Sequence, residues 1–129
     1  MNISLLRTKI HRATVTESDL NYEGSISICP DLIKASGLVM NERVDIYNCN
    51  NGARFSTYVI LGDKGDICLN GAAARHVQKG DLVIICSYCG LSMEEAKKFE
   101  PTVVFVDEKN RVKQKRAESH KNNKKKKKK

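Results

Sequence analysis

Residues 25–37 read Ser25-Ile-Ser-Ile-Cys-Pro-Asp-Leu-Ile-Lys-Ala-Ser-Gly37, and this stretch sets the character of the chain. The first four residues alternate polar and apolar, which predicts a short strand with Ile26 and Ile28 on one face. Pro30 then sits where a first helical turn tolerates proline, and Gly37 supplies a stop, so residues 30–36 read as a short helix. A four-residue strand feeding a two-turn helix leaves little room for a helical bundle. The same grammar continues on both sides. Residues 3–14 mix apolar and basic residues in near alternation and predict a long strand. Residues 44–47, 54–61, 66–70, 82–87 and 102–106 predict further strands, separated by Asn50-Asn-Gly52, Gly62-Asp-Lys-Gly65 and Lys79-Gly80-Asp81 turns. A helical turn fits residues 72–75. Ser92-Met-Glu-Glu95 has the spacing of a capping box, so residues 93–99 predict a helix, ended by Pro101. Short strands joined by glycine-bearing turns favour a small barrel.

Two further features concern organisation. Val39-Met-Asn-Glu-Arg-Val-Asp-Ile46 aligns without gaps to Val77-Gln-Lys-Gly-Asp-Leu-Val-Ile84, a weak echo that two related half-barrels would produce and that chance explains nearly as well. The formal charge of +8 also divides unevenly. Residues 109–129 carry 12 of the 23 Lys and Arg but only Glu118 among the acids, leaving 11 bases against 14 acids in residues 1–108, a net of −3. A folded domain over 1–108 and a basic disordered tail over 109–129 are therefore expected. A mildly acidic body with 5% aromatic residues and no Trp is a poor platform for nucleic acid, which argues against that class of partner. No run approaches a membrane span, and the N-terminal residues lack the pattern of a secretory signal, so a cytoplasmic protein is expected. Five cysteines at uneven spacing do not form a disulfide framework. Cys86 and Cys89 have half the spacing of a zinc site without a second half, so no metal is expected.

Four segments carry side chains suited to chemistry: Lys9-Ile-His11, Asn21-Tyr-Glu-Gly-Ser-Ile26, Gly52-Ala-Arg-Phe-Ser-Thr-Tyr58 and Asn70-Gly-Ala-Ala-Ala-Arg75. Glycine at 24 leaves its carbonyl open to approach and admits strained backbone, and the Ser25 hydroxyl that follows could attack that carbonyl. On the strand over 54–61, a period of two puts Arg54, Ser56 and Tyr58 on one side and Thr57 on the other. Arg54 offers a planar fork to a carboxylate and Tyr58 a phenolic proton. Asn70, Gly71, Ala72 and Ala73 combine an amide with residues small enough for a ligand to reach backbone N–H groups. Lys9 and His11 would share one face of the first strand. Each segment alone is ordinarily turn or surface.

In this order and spacing the segments resemble the aspartate 1-decarboxylase family, through Lys9-Ile-His-Arg-Ala13, Tyr22-Glu-Gly-Ser25, residues 50–58 and residues 70–75. The resemblance covers about residues 1–107. At position 47 several family members carry Trp where this chain has Tyr47, which keeps an aromatic wall. The resemblance implies a double-psi β-barrel, assembled as a homotetramer with sites between neighbouring subunits. It implies self-cleavage between Gly24 and Ser25 into a β chain, 1–24, and an α chain whose first residue becomes a pyruvoyl group, supported by Thr57, His11 and Tyr22. It further implies that this group forms a Schiff base with L-aspartate, that Lys9 and Arg54 hold the two carboxylates, and that Tyr58 returns a proton. Thr57, Asn70, Gly71, Ala72 and Ala73 would complete the pocket, and an accessory maturation factor is a further partner to consider. The product would be β-alanine, used for pantothenate and coenzyme A. The rival readings are a binding protein on a similar barrel and a nucleic-acid-binding barrel.

Overall fold

A computed structural model describes residues 1–117. Nine strands follow one another as β1 (Asn2–Thr14), β2 (Glu17–Asp19), β3 (Ser25–Ile28), β4 (Arg43–Asn48), β5 (Arg54–Leu61), β6 (Ile67–Asn70), β7 (Leu82–Ser92), β8 (Thr102–Val106) and β9 (Val112–Ala117). Helix α1 (Pro30–Ser36) follows β3, a 3-10 turn (Gly71–His76) follows β6, and α2 (Met93–Lys98) follows β7. The local signals act as their chemistry requires. Gly37 closes α1 at φ 78°, a left-handed conformation that glycine adopts without a Cβ penalty. Ser92 and Glu95 exchange both bonds of a capping box at the start of α2.

The strands run in the order β2-β6-β3-β5-β4-β7-β1-β8-β9. β2 continues β1 after a bend, and the Val15 between them exchanges backbone bonds with Gly80 and Asp81 (both 2.8 Å). The strand that pairs with β7 therefore goes on to pair with β6, and the order closes on itself. Three pairings are parallel: β1 with β8, β2 with β6, and β3 with β5. Inside the closed sheet lie Ile10, Val15, Ile26, Ile28, Val44, Ile46, Val59, Ile67, Leu69, Val83 and Ile85, all buried, with Leu32 of α1 and Leu38 packed on them. Aliphatic side chains supply this core, as the scarcity of aromatics requires.

The internal echo is structural, but its register differs by one residue from the gapless alignment. Asn41 N–H donates to Val59 O and Val59 N–H to Glu42 O, while Gly80 N–H donates to Val15 O and Val15 N–H to Asp81 O. Val39 N–H meets Glu42 Oε1 at 2.9 Å, and Gln78 N–H meets Asp81 Oδ2 at 2.9 Å. Asn41 thus corresponds to Gly80 and Glu42 to Asp81, and both Asn41 (φ 69°) and Gly80 (φ 95°) are left-handed. With that shift, buried Val44 and Ile46 match buried Val83 and Ile85.

The expected boundary at 108 is corrected. β9 pairs antiparallel with β8 from Thr102↔Ala117 to Val106↔Val112. Asn110, 2% exposed, exchanges bonds with both backbone groups of Thr14 (2.8 and 2.9 Å) and donates to Gly65 O at 3.0 Å. Residues 109–117 therefore belong to the folded unit, because a backbone hairpin needs no apolar side chains of its own. The expectation for residues 118–129 lies outside the described residues. β2 and the extension of β7 to Ser92 were likewise not foreseen. Among the described residues, no helix is long and apolar enough to cross a membrane.

Candidate active site

β3 pairs with β5 only from Ile26↔Val59 onward, so the edge of residues 55–58 is left open where β3 begins. The opening is a cleft of about 330 Å³ lined by Gly24, residues 55–58, Ala72, Ala73 and His76. Ser25 follows the lining Gly24, 1% exposed and opposite Asn70 in the β3–β6 ladder. Its Oγ donates to Glu23 O at 3.1 Å and accepts from Asn70 Nδ2 at 2.9 Å. The first bond spans residue 24 and turns the hydroxyl back over the Gly24 peptide. Asn70, 3% exposed, is a hub: its amide also donates to Ser27 Oγ at 3.1 Å, and its Oδ1 accepts from Cys68 Sγ at 3.1 Å.

The glycine that matters sterically is Gly71 rather than Gly24. Gly71 has φ 67°, and a Cβ there would stand 2.6 Å from Gly24 Cα, 2.7 Å from Gly24 N and 3.1 Å from Tyr22 O. Gly24 is not left-handed, and a Cβ built on it meets nothing within 4 Å. Expected strain at Gly24 is thus replaced by close backbone approach from Gly71, for which only a residue without Cβ leaves room. Phe55 and His76, whose rings stack at 4.8 Å and 23°, wall the cleft. Neither His76 nor Ser27 was singled out from sequence, since their roles arise only from a stacking partner on β5 and an amide on β6.

The alternation of β5 is as expected, with Arg54, Ser56 and Tyr58 exposed and Phe55, Thr57 and Val59 turned inward. On the outer face, cross-strand register sets Lys9, Cys86, Asp45 and Ser56 in one row. Arg54 stands opposite Tyr47, with its guanidinium carbon 4.3 Å from the Tyr47 ring centre. Tyr47 and Tyr88 share a hydrogen bond of 2.8 Å between their hydroxyls. Cys86 reports the same convergence. Burial raises its thiol pKa most, while Tyr88, Lys9 and Arg54 draw it down and Asp45 raises it. Lys9 and Arg54 thus act on one spot. Cys89 lies three residues on in a strand and faces away from Cys86, so the two thiols cannot share a ligand.

Two expected residues lie elsewhere in the chain. His11 packs edge-on against Phe105 at 5.4 Å and lines a separate cleft with Asp107 and Lys113. Tyr22 is 56% exposed, and its carbonyl oxygen lies 3.1 Å from where a Cβ at Gly71 would stand. Arg54 and Tyr58 share a face but stand four residues apart, roughly 13 Å at the rise of a strand.

Comparison with known proteins bears directly on this arrangement. The model of the family described as aspartate decarboxylase matches residues 1–113. The chain belongs to the aspartate decarboxylase family. Its fold is accordingly the double-psi β-barrel of that family. The chain is 86% identical over 124 residues to an aspartate 1-decarboxylase of Bdellovibrio bacteriovorus, covering 96% of this chain and all of that one. It is 58% identical over 112 residues to an aspartate 1-decarboxylase of Campylobacter concisus, covering 87% of this chain and 97% of the relative. A third, from Caldicellulosiruptor bescii, is 58% identical over 114 residues, with 87% and 89% covered. The family match runs past Asn110, in keeping with the place of that residue in the fold.

Proposed function

We propose that this chain, which decarboxylates L-aspartate to β-alanine and carbon dioxide for pantothenate synthesis, does so in the cytoplasm and only after cutting itself. The observation that carries the reading is the buried Ser25 hydroxyl, turned back over Gly24 by Glu23 O and Asn70 Nδ2. Ser25 Oγ attacks the Gly24 carbonyl, and the amide N–C bond breaks to give an ester and a free amine. Asn70 holds the nucleophile, and Gly71 pins the Gly24 backbone so that the carbonyl cannot swing away. Thr57, inward on β5, faces this cleft and stabilises the negative oxygen that forms. β-Elimination of the ester leaves a carboxylate at Gly24, and hydrolysis of the resulting dehydroalanine releases ammonia.

The α chain then begins with a pyruvoyl group, which supplies the electron sink for loss of the α-carboxylate. The residues present fit such a group, since Asn70 and Ser27 offer hydrogen-bonding partners in a water-poor pocket and the cleft opens beside it. The chain's own side chains do the rest. Lys9 and Arg54 hold carboxylates, Tyr58 delivers a proton to the α-carbon, and the small Ala72 and Ala73 leave space for the substrate. Arg54 leans onto Tyr47, away from Tyr58 along the strand, and His11 lies in another cleft. A homotetramer that sets the Lys9–Arg54 face of one copy beside the Ser25 cleft of another brings these groups together. The same contact would cover the exposed Tyr22, Tyr58 and Leu61.

Intact mass of the denatured protein tests the reading. Wild type should yield fragments of 1–24 and 25–129, the latter with a carbonyl terminus trapped by aspartate and borohydride. Ser25→Ala should fold, stay whole and show no decarboxylation. Cutting of Ser25→Ala after Gly24 would assign the cleavage to a contaminating protease. An uncut wild type that never forms β-alanine would leave a binding protein as the reading.

A further inference from the structure

We infer that Tyr88 is a positioning residue for substrate binding, whose hydroxyl locks the Tyr47 ring beneath Arg54 and so sets the carboxylate-binding direction of the guanidinium. This rests on the proposed role of Arg54 as a carboxylate ligand. The geometry is a three-part relay across three neighbouring strands. Arg54 on β5 lies over the Tyr47 ring at 4.3 Å, and Tyr47 on β4 shares a 2.8 Å hydroxyl–hydroxyl bond with Tyr88 on β7. Arg54 is exposed on an edge-facing strand position, where an arginine has many rotamers of similar energy. A cation resting on an aromatic face loses that freedom, but only if the face itself is fixed. Tyr47 is a half-buried ring whose place is set by its χ1 and χ2. The bond at its far end fixes where that end stands and so stops the ring swinging about χ1, which holds it in place beneath Arg54.

Tyr88 is itself anchored. It stands two residues from Cys86 on the same face of β7, and the two side chains line one cleft. Burial, then the bond to Tyr47, raises the Tyr88 phenol pKa above its ordinary value, so it stays a neutral hydrogen-bonding group through the working range. Tyr88 does not line the Gly24 cleft, and its own cleft is formed with Ser4, Arg43, Asp45 and Cys86. It therefore stands clear of the reacting centre at Gly24, and the Tyr47 hydroxyl is its route to Arg54.

Steady-state kinetics of fully processed enzyme test this, together with inhibition by succinate, a dicarboxylate without the amine and so a reporter of carboxylate binding alone. Tyr88→Phe keeps the ring and removes the hydroxyl. It should raise KM for aspartate and Ki for succinate together by about twofold to tenfold, the scale of one hydrogen bond, with kcat roughly unchanged. Tyr47→Phe should do the same, and Tyr47→Phe/Tyr88→Phe no more than either alone, since one bond is lost in all three. In an Arg54→Ala background, Tyr88→Phe should change nothing further. Unaltered KM and Ki in Tyr88→Phe would overturn the inference, as would additive effects of the two phenylalanines, or an effect persisting without Arg54. The underlying reading fails separately: if Arg54→Ala leaves succinate inhibition intact, Arg54 is not the carboxylate ligand, whatever Tyr88 does.

Discussion

The edge cleft and the outer face of the same β5 strand are built on opposite plans. In the cleft, the parts are small and buried: Ser25 and Asn70 are 1% and 3% exposed, and Gly71 touches Gly24 with no side chain between. On the outer face, the parts are long and reach toward solvent, and the side chains of Arg54, Tyr47 and Tyr88 hold one another in place. The difference suits two tasks. The proposed self-cleavage would happen once, between groups already bonded in sequence, and would need one backbone geometry held tightly. Turnover must admit and release a charged substrate, and needs reach. Tyr58 sits at the seam, on the outer face by strand parity yet lining the cleft.

That seam gives the largest expected effect. Tyr58→Phe should cleave fully between Gly24 and Ser25 but lose about 10²–10⁴-fold in kcat, the scale of a general acid. Separate measurement of fragment yield and of carbon dioxide release decides it. A Tyr58→Phe enzyme that turns over normally removes the phenol from proton delivery, and one that fails to cleave would erase the division between the two regions.

Gly71→Ala should do the reverse and strike processing first. A left-handed alanine costs about 1–3 kcal/mol, and its Cβ would drive into Gly24 backbone. Cleavage followed by gel over time should slow by about tenfold or more, since ~1.4 kcal/mol corresponds to tenfold. Cleavage at the wild-type rate would show that the Gly24 backbone tolerates displacement, and that close approach from Gly71 is not what holds the carbonyl.

A control on both regions lies far from either. Asn110→Ala removes three bonds that tie the β8–β9 hairpin to β1 and to the turn at Gly65. It should lower stability by about 1–3 kcal/mol in denaturant melts, because buried backbone groups are left unpaired, with little preference between cleavage and turnover. A chain ending at 108 should be worse than one ending at 117. Equal melting of the two truncations would return the boundary to 108.

The smallest effect concerns acid. Glu42 joins the two halves of the barrel: Arg7 Nη2 donates to its Oε1 at 2.7 Å, and Ser87 Oγ and the Val39 N–H donate to it as well. Burial pushes the carboxyl up, but the bonds from Ser87, Arg7 and Val39 together hold it below the ordinary 4.5. A depressed carboxyl stabilises the fold above its unfolded pKa, and that contribution is lost as pH falls below 4.5 through the folded value. Glu42→Gln should therefore cost up to about 1 kcal/mol at neutral pH and flatten the fall in stability on the acid side. A mutant whose acid limb parallels wild type would show that other carboxylates carry it.

Sequence alone determined the elements whose signals are local. Ser25–Ile28, Pro30–Ser36, Arg54–Leu61 and Thr102–Val106 have the boundaries that alternation, proline and glycine specify, and the capping box at Ser92 starts α2 as its spacing requires. The family was equally legible, because four separated motifs agreed in order. Tertiary structure decided what depends on partners distant in sequence. β2 (Glu-Ser-Asp) and β9 (Val-Lys-Gln-Lys-Arg-Ala) are strands only because β6 and β8 present unpaired backbone to them, which polar sequence cannot announce. The register of the internal repeat turned on left-handed backbone at Asn41 and Gly80, a property of each turn rather than of residue likeness. The need for glycine at 71 rather than at 24 was decided the same way. Local free energies are written in neighbouring residues, whereas a close approach between residues 24 and 71 exists only once the barrel has closed around them.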